Sequence, residues 1–240
     1  MLFNSLPFLY VFLPIAYLVF WRLQTGAQRY VWLTVTGYAF YSFWDYRFCS
    51  LMFLSTLASY LGGLGLRRWE DRARRRLCLI VPVTLDLALL GFFKYTNFFL
   101  TSASGLSSWL GYRMQLPALD ILLPVGISFY TFHTVTYVVD AYRGQITPTR
   151  SFFQFASYVS LFPQLVAGPI VRFRQISGDL ASIETAEWRK SLDRGWSFFV
   201  IGMIKKVLIA DTIGMIIAPA LASYQTLGTV GAWLCILGYA

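Results

Sequence analysis

His133 is the only imidazole in a chain of 240 residues, so any acid–base chemistry built on histidine has a single candidate. It lies in LLPVGISFYTFHTVTYVVDAYRG, residues 122–144. At helical spacing Tyr130, His133, Tyr137 and Asp140 fall three or four apart and share one face. The stretch is about as long as a bilayer-spanning helix, roughly 20 residues, yet unusually polar for one. An imidazole and a carboxylate are expensive inside a membrane and must face a bundle interior or a water-filled cavity. A histidine with a carboxylate on the same face could take a proton from a hydroxyl, because the nearby anion favours the imidazolium that forms. The same residues could equally form an interhelical hydrogen-bond cluster with no substrate, so a tunnel wall and a structural network both stand at this point. Asp86 and Asp211 are the other acid–base candidates.

Other chemistries lack their residues. There is no Walker loop, no dinucleotide fingerprint and no HExxH or CxxC pair. The run Gly62-Gly63-Leu64-Gly65 ends a hydrophobic stretch and suits close helix packing better than phosphate binding. Cys49, Cys78 and Cys235 are odd in number and far apart, which gives neither a disulfide framework nor a metal cluster. No metal and no bound cofactor are expected.

Composition assigns these residues to a membrane. Hydrophobic residues make up 57% and charged residues 13%, with 21 Phe, 15 Tyr and 8 Trp. Long apolar runs recur throughout, the mark of a polytopic, all-α membrane protein. The net charge of +9 sits between those runs, where it sets topology and meets anionic head groups; it is no nucleic-acid footprint.

Spans are expected at residues 6–21, 30–44, 48–66 and 77–100. Residues 1–66 form an N-terminal helical part, 67–76 a basic loop, and 77–240 the larger core. RRWEDRARRR at 67–76 carries six Arg, and a short loop this basic stays cytoplasmic. The loop at 22–29 then also lies inside and the N-terminus outside. Asp86 sits mid-span and must find a partner. Residues 101–120 read as a connection, with an amphipathic piece on the outer surface. In SFFQFASYVSLFPQLVAGPIVRF, residues 151–173, about eleven residues precede Pro163 and cover roughly 17 Å of a core about 30 Å thick. Pro163 and the Gly168-Pro169 pair interrupt the helix, and broken backbone at membrane depth belongs inside protein or along a cavity. A re-entrant element against the central helix is expected, a kinked span being the plainer alternative. A surface helix is expected at 185–194. Lys205, Lys206 and Asp211 then divide the apolar run 196–218 into two shorter pieces, and a further run starts at 227.

LLPVGISFYTFHTVTYVVDAYRG, followed by FPQLVAGPIVRF at 162–173 and GMIKKVLIAD at 202–211, resembles the membrane-bound O-acyltransferase family. The likeness is strongest to its alginate O-acetylase branch, to which the opening MLFNSLPFLYVFLPI is also similar. The three motifs stand in the family's order over nearly the whole chain. The resemblance implies a helical funnel or tunnel with broken or re-entrant helices, in a bacterial inner membrane. It implies transfer of an acyl group, acetyl by preference, to hydroxyls of an extracytoplasmic polysaccharide. The donor would be acetyl-CoA or another acyl carrier acting as co-substrate, with an acyl-donor protein on the cytoplasmic side and acetylation partners outside.

Carried over residue by residue, the tunnel wall would include Tyr130, His133, Tyr137 and Asp140, with Gln164 and Arg172 from the broken segment. The family's catalytic histidine lies in a later segment with a Trp-His context, which is not found before Ala240. His133 stands in the earlier motif and does not inherit that role, so the chain reads as the N-terminal half of such an enzyme. D-alanyl transfer to teichoic acid is the nearest alternative within the family, and a transporter or a non-catalytic membrane scaffold the rivals outside it.

Overall fold

The computed structural model describes residues 3–109, 119, 121–165, 168–185 and 187–239, and every regular element among them is helical. The chain divides into two compact units, one running from Phe12 to Glu184 and one combining residues 2–11 with 185–240. Two helical runs, Gly26–Arg68 and Arg72–Trp109, are long and apolar enough to cross a membrane.

In the first unit, α1 (Leu13–Arg22) leads into α2 (Gly26–Asp45) and α3 (Cys49–Arg68). Helices α2 and α3 have 20 residues each, about 30 Å of rise, which matches a hydrocarbon core. Thr25 and Gln28 form a capping box at the start of α2, where Glu184 also accepts from the Gly26 amide. These contacts satisfy amides that have no partner within the helix. Between α2 and α3 the chain turns on Asp45, which accepts from the Arg47 amide at 2.9 Å and pairs with its guanidinium at 2.6 Å.

The basic stretch expected as a loop at 67–76 is mostly helix. Helix α3 persists to Arg68 and α4 (Arg72–Leu90) starts soon after, because Asp71 caps the Arg74 amide at 3.0 Å. The arginines divide by task. Arg67 donates to Pro148 O, and Arg75 donates to Leu66 O (2.8 Å) and Tyr142 O (3.2 Å), closing the C-terminal ends of two helices. Arg68 and Arg74 instead flank the Trp69 ring at 5.2 and 4.1 Å. Hydrogen bonds from a charged donor each contribute about 1.5–3 kcal/mol. Arg75→Met is therefore expected to lower the thermal unfolding midpoint in detergent clearly more than Arg74→Met, and equal effects would overturn this division.

Helix α4 does not stop near residue 100. It passes through a π turn at Gly91–Tyr95 into α5 (Thr96–Trp109), 38 residues in all. Thr101, Ser104, Ser107 and Ser108 hydrogen-bond carbonyls three or four residues back, which accommodates these polar residues in a helix. Residues 110–118 and 120 of the expected surface piece lie outside the described residues.

The central helix α6 (Ile127–Tyr142) is shorter than its motif: Gly126, at φ 76°, sets its start, and its 16 residues rise about 24 Å. Arg75 joins α4 to Leu66 and Tyr142, whereas Asp86 joins it to Ser55 and Thr134. It follows that α3 and α6 run parallel and α4 antiparallel to both. Gly63 makes the approach of α3 to α6 possible, since a Cβ there would meet the Tyr137 ring at 2.8 Å. The expected packing role of the glycine run is thus observed.

The interruption near Pro163 is also observed. Helix α7 (Phe152–Val159) has eight residues, and α8 (Phe162–Leu165) only four; α9 (Phe173–Ala181) follows. Helix α7 lies parallel to α2 and so close that a Cβ on Gly37 would overlap Ser160 O. Tyr41, Met52, Tyr130, Tyr137, Val138, Phe155, Tyr158 and Leu165 form the centre of the core.

In the second unit α10 (Trp188–Ile204), a π turn at Lys205–Ala210 and α11 (Asp211–Ala222) form one unbroken helix. The separate surface helix and the two pieces divided at the lysines are therefore corrected. Lys205 and Lys206 occupy the π turn, where Lys206 pairs with Asp211 and no break is needed. Gly238 of α12 (Thr229–Tyr239) sits against Ile213 and Ile217 of α11.

Candidate functional site

Two polar centres lie on different sides of α6. On one, the Asp86 carboxylate is 1% exposed and collects three hydroxyls. Ser55 and Thr134 donate to it at 2.5 and 2.6 Å, and Ser59 lies at 3.4 Å. The partner that a mid-span carboxylate requires is thus a set of hydroxyls from α3 and α6, with no cation among the described residues.

On the other side His133 and Gln164 meet a tyrosine that the sequence reading did not single out. The Tyr158 ring lies 5.2 Å from that of His133. Its hydroxyl donates to Val171 O at 2.7 Å, beside Arg172, and its carbonyl accepts from Gln164 Nε2 at 2.8 Å. Asp140 stands seven residues after His133, two turns along α6 and on the same face. A tyrosine in a very short helix just before a proline break was the available signal.

The six predicted residues are therefore not one uniform wall. His133 and Asp140 are buried on the Tyr158 side, and neither imidazole nitrogen nor Asp140 Oδ2 has a hydrogen-bond partner among the described residues. Gln164 is occupied in holding the break to α7. Arg172 is exposed at the start of α9, its amide donating to Gln175 Oε1 at 2.7 Å. Tyr137 is packing material: its ring lies 4.1 Å from Phe155 and 5.1 Å from Phe173, and its hydroxyl accepts from the Thr149 amide. Tyr130 faces Tyr41 of α2, ring centroids 6.4 Å apart. Asp211 belongs to the second unit. No group of three or more His, Cys, Asp or Glu able to hold a metal occurs among the described residues.

A helical membrane protein whose central helix carries a buried imidazole and carboxylate beside a broken helix fits the resemblance seen in the motifs. Comparison with known proteins bears it out: over its whole length the chain is homologous to proteins named probable alginate O-acetylase. A protein of Pseudomonas syringae pv. tomato named probable alginate O-acetylase is 37% identical over 240 residues, covering 100% of this chain and 45% of the relative. Its namesake in Pseudomonas putida is 37% identical, with 100% and 48% covered. The peptidoglycan O-acetyltransferase of Helicobacter pylori is 30% identical over 268 residues, with 100% and 50% covered. The chain spans about half the length of these relatives. No family model matches it, and no solved structure does.

Proposed function

We propose that the whole protein is an O-acyltransferase that moves an acetyl group to hydroxyls of an extracytoplasmic polysaccharide. In this reading the present chain supplies part of the membrane-embedded passage in which donor and acceptor meet. The observation that carries it is the His133–Tyr158–Asp140 centre, where buried polar atoms without partners among the described residues flank a broken helix. In this reading the catalytic base is a histidine in the part of the relatives' length that this chain does not span. That base takes the proton from a sugar hydroxyl, the oxygen attacks the acyl carbonyl of acetyl-CoA or another carrier, and the carrier–acyl bond breaks as the base returns the proton to the departing carrier. His133 and Asp140 orient the reactants by hydrogen bonds, and enclosure keeps water from the acyl donor. We assign the protein to a bacterial inner membrane, with the Trp69–Asp71 turn cytoplasmic and the N-terminus outside.

The test is the ester-linked acetate content of the secreted polysaccharide in a strain lacking the gene, before and after complementation. Restoration by the gene is expected, and unchanged acetate on deletion would refute the reading. Within that assay Asp140→Ala is expected to reduce acetylation strongly at normal protein level. His133→Gln should leave measurable transfer, because an amide can replace the imidazole as donor and acceptor but not as a base. Complete loss with normal insertion would make His133 the base. His133→Leu should keep the fold, since no hydrogen bond to a described residue is lost, while lowering transfer below the Gln variant.

A further inference from the structure

Around Asp86 the oxygens outnumber the protons available to join them. Thr134 Oγ1 carries one hydrogen and has four oxygens near it: Asp86 Oδ2 at 2.6 Å, Tyr130 O at 2.9 Å, Thr131 O at 3.0 Å and Ser55 Oγ at 3.3 Å. Ser55 Oγ lies 2.5 Å from Asp86 Oδ1, and Ser59 Oγ 3.4 Å from Oδ2. Ser55, Ser59 and Thr134 are all fully buried. Each hydroxyl brings one proton but two lone pairs, and an ionised carboxylate brings lone pairs alone. The cluster therefore has acceptor capacity that its own hydrogens leave unused.

Charge is the second, independent feature. Contacts of 2.5 and 2.6 Å between a hydroxyl and a carboxylate are those of bonds to an ionised acceptor. The hydroxyls solvate Asp86 but leave its negative charge in place, and no Lys, Arg or His pairs with it among the described residues. An unpaired charge buried at membrane depth is costly. Carboxylate, hydroxyl and carbonyl oxygens are the ligands that hard cations take, and α3, α4 and α6 bring them to one point. A single carboxylate balances one positive charge, which selects a monovalent ion. Magnesium keeps several waters when bound, and a hub this buried does not suit it.

We propose that the Asp86 hub binds one sodium ion, held by the carboxylate and by the hydroxyl oxygens of Ser55, Ser59 and Thr134. The ion ties α3 and α4 to α6, the helix that carries His133. The test uses the protein as its gene encodes it, purified in detergent, with sodium replaced stepwise by choline at constant ionic strength. The wild-type unfolding midpoint should rise with sodium, by equal steps for each tenfold increase once the dissociation constant is passed. Equilibrium binding of radioactive sodium should reach one ion per chain. Asp86→Asn removes the charge and should lose both the dependence and the bound ion. Ser59→Ala gives up only the longest contact of the hub, so its midpoint in choline should stay near wild type. Its sodium dependence should move to concentrations higher by about tenfold or more, the factor that loss of a supporting group costs a metal site. A wild-type midpoint indifferent to sodium would overturn the site and leave a proton as the neutralising charge. Sodium binding that survives in Asp86→Asn would put the ion elsewhere and overturn it equally, and an unshifted dependence in Ser59→Ala would remove Ser59 from the ligands.

Discussion

Asp86→Ala is expected to destabilise the protein by about 2–3 kcal/mol. Removing the carboxylate deprives three hydroxyls from two helices of their acceptor at once. Hydrogen bonds inside membranes average only about 0.6 kcal/mol in double-mutant cycles, so three of them sum to about 2. The buried serines add to that, since Ser59 loses its acceptor and Ser55 keeps only the Thr134 hydroxyl at 3.3 Å. Thr134 is the exception, because its hydroxyl can turn to Tyr130 O at 2.9 Å. Ser55→Ala should therefore cost more than Thr134→Ser, and Asp86→Asn, which keeps one acceptor, should lose less than half as much as Asp86→Ala. Thermal unfolding in detergent checks the order. A variant without the carboxylate that unfolds at the wild-type midpoint would show that the hub is not structural.

Gly37→Val is expected to be the most damaging single change to transfer. The Cβ would overlap a backbone oxygen, which no rotamer change can move, where contacts normally stay beyond 3.0 Å. Helices α2 and α7 would have to separate by about 1 Å. Overpacking of this kind costs about 1–3 kcal/mol, and the shift is passed to Tyr158, two residues before Ser160, on which the candidate centre converges. A displacement of about 1 Å can reduce a catalysed rate about a hundredfold. Gly105→Ala is the control: nothing lies within 4 Å of its Cβ position on α5, so it should stabilise the helix by up to about 1 kcal/mol. Equal acetylation by the Gly37→Val and Gly105→Ala variants would contradict the argument.

The features visible in the sequence are those with large local signatures. Pro163 announced the break, the glycine run announced close helices, and a carboxylate inside an apolar run announced that Asp86 had to be met. What met it was not legible. Serine and threonine occur in most helices, and nothing local distinguishes Ser55 and Thr134, which bond across to Asp86, from Thr36 or Thr101, which bond back along their own helices. Tyr158 was missed because its contacts come from several elements brought together only by folding. The same-face reading of residues 130–140 was sound as periodicity, yet α6 is surrounded on several sides. One stripe therefore divides between Tyr41, Tyr158 and Phe155. The stop expected near residue 100 failed because side-chain hydroxyls returned to their own helix and helical hydrogen bonding continued.

The π turn at Gly91–Tyr95 has a consequence for how this chain can vary. A π turn holds one residue more than the α-helix it interrupts, and each residue of α-helix rotates the chain by about 100°. Deleting a single residue from Gly91–Tyr95 would restore regular winding and leave α5 facing as before, whereas the same deletion within regular α-helix would turn the length beyond it by roughly that angle. The turn is in this sense a slack residue in the long helix: α4 stays keyed to the polar core, and loss of one codon at the turn is absorbed without re-aiming α5.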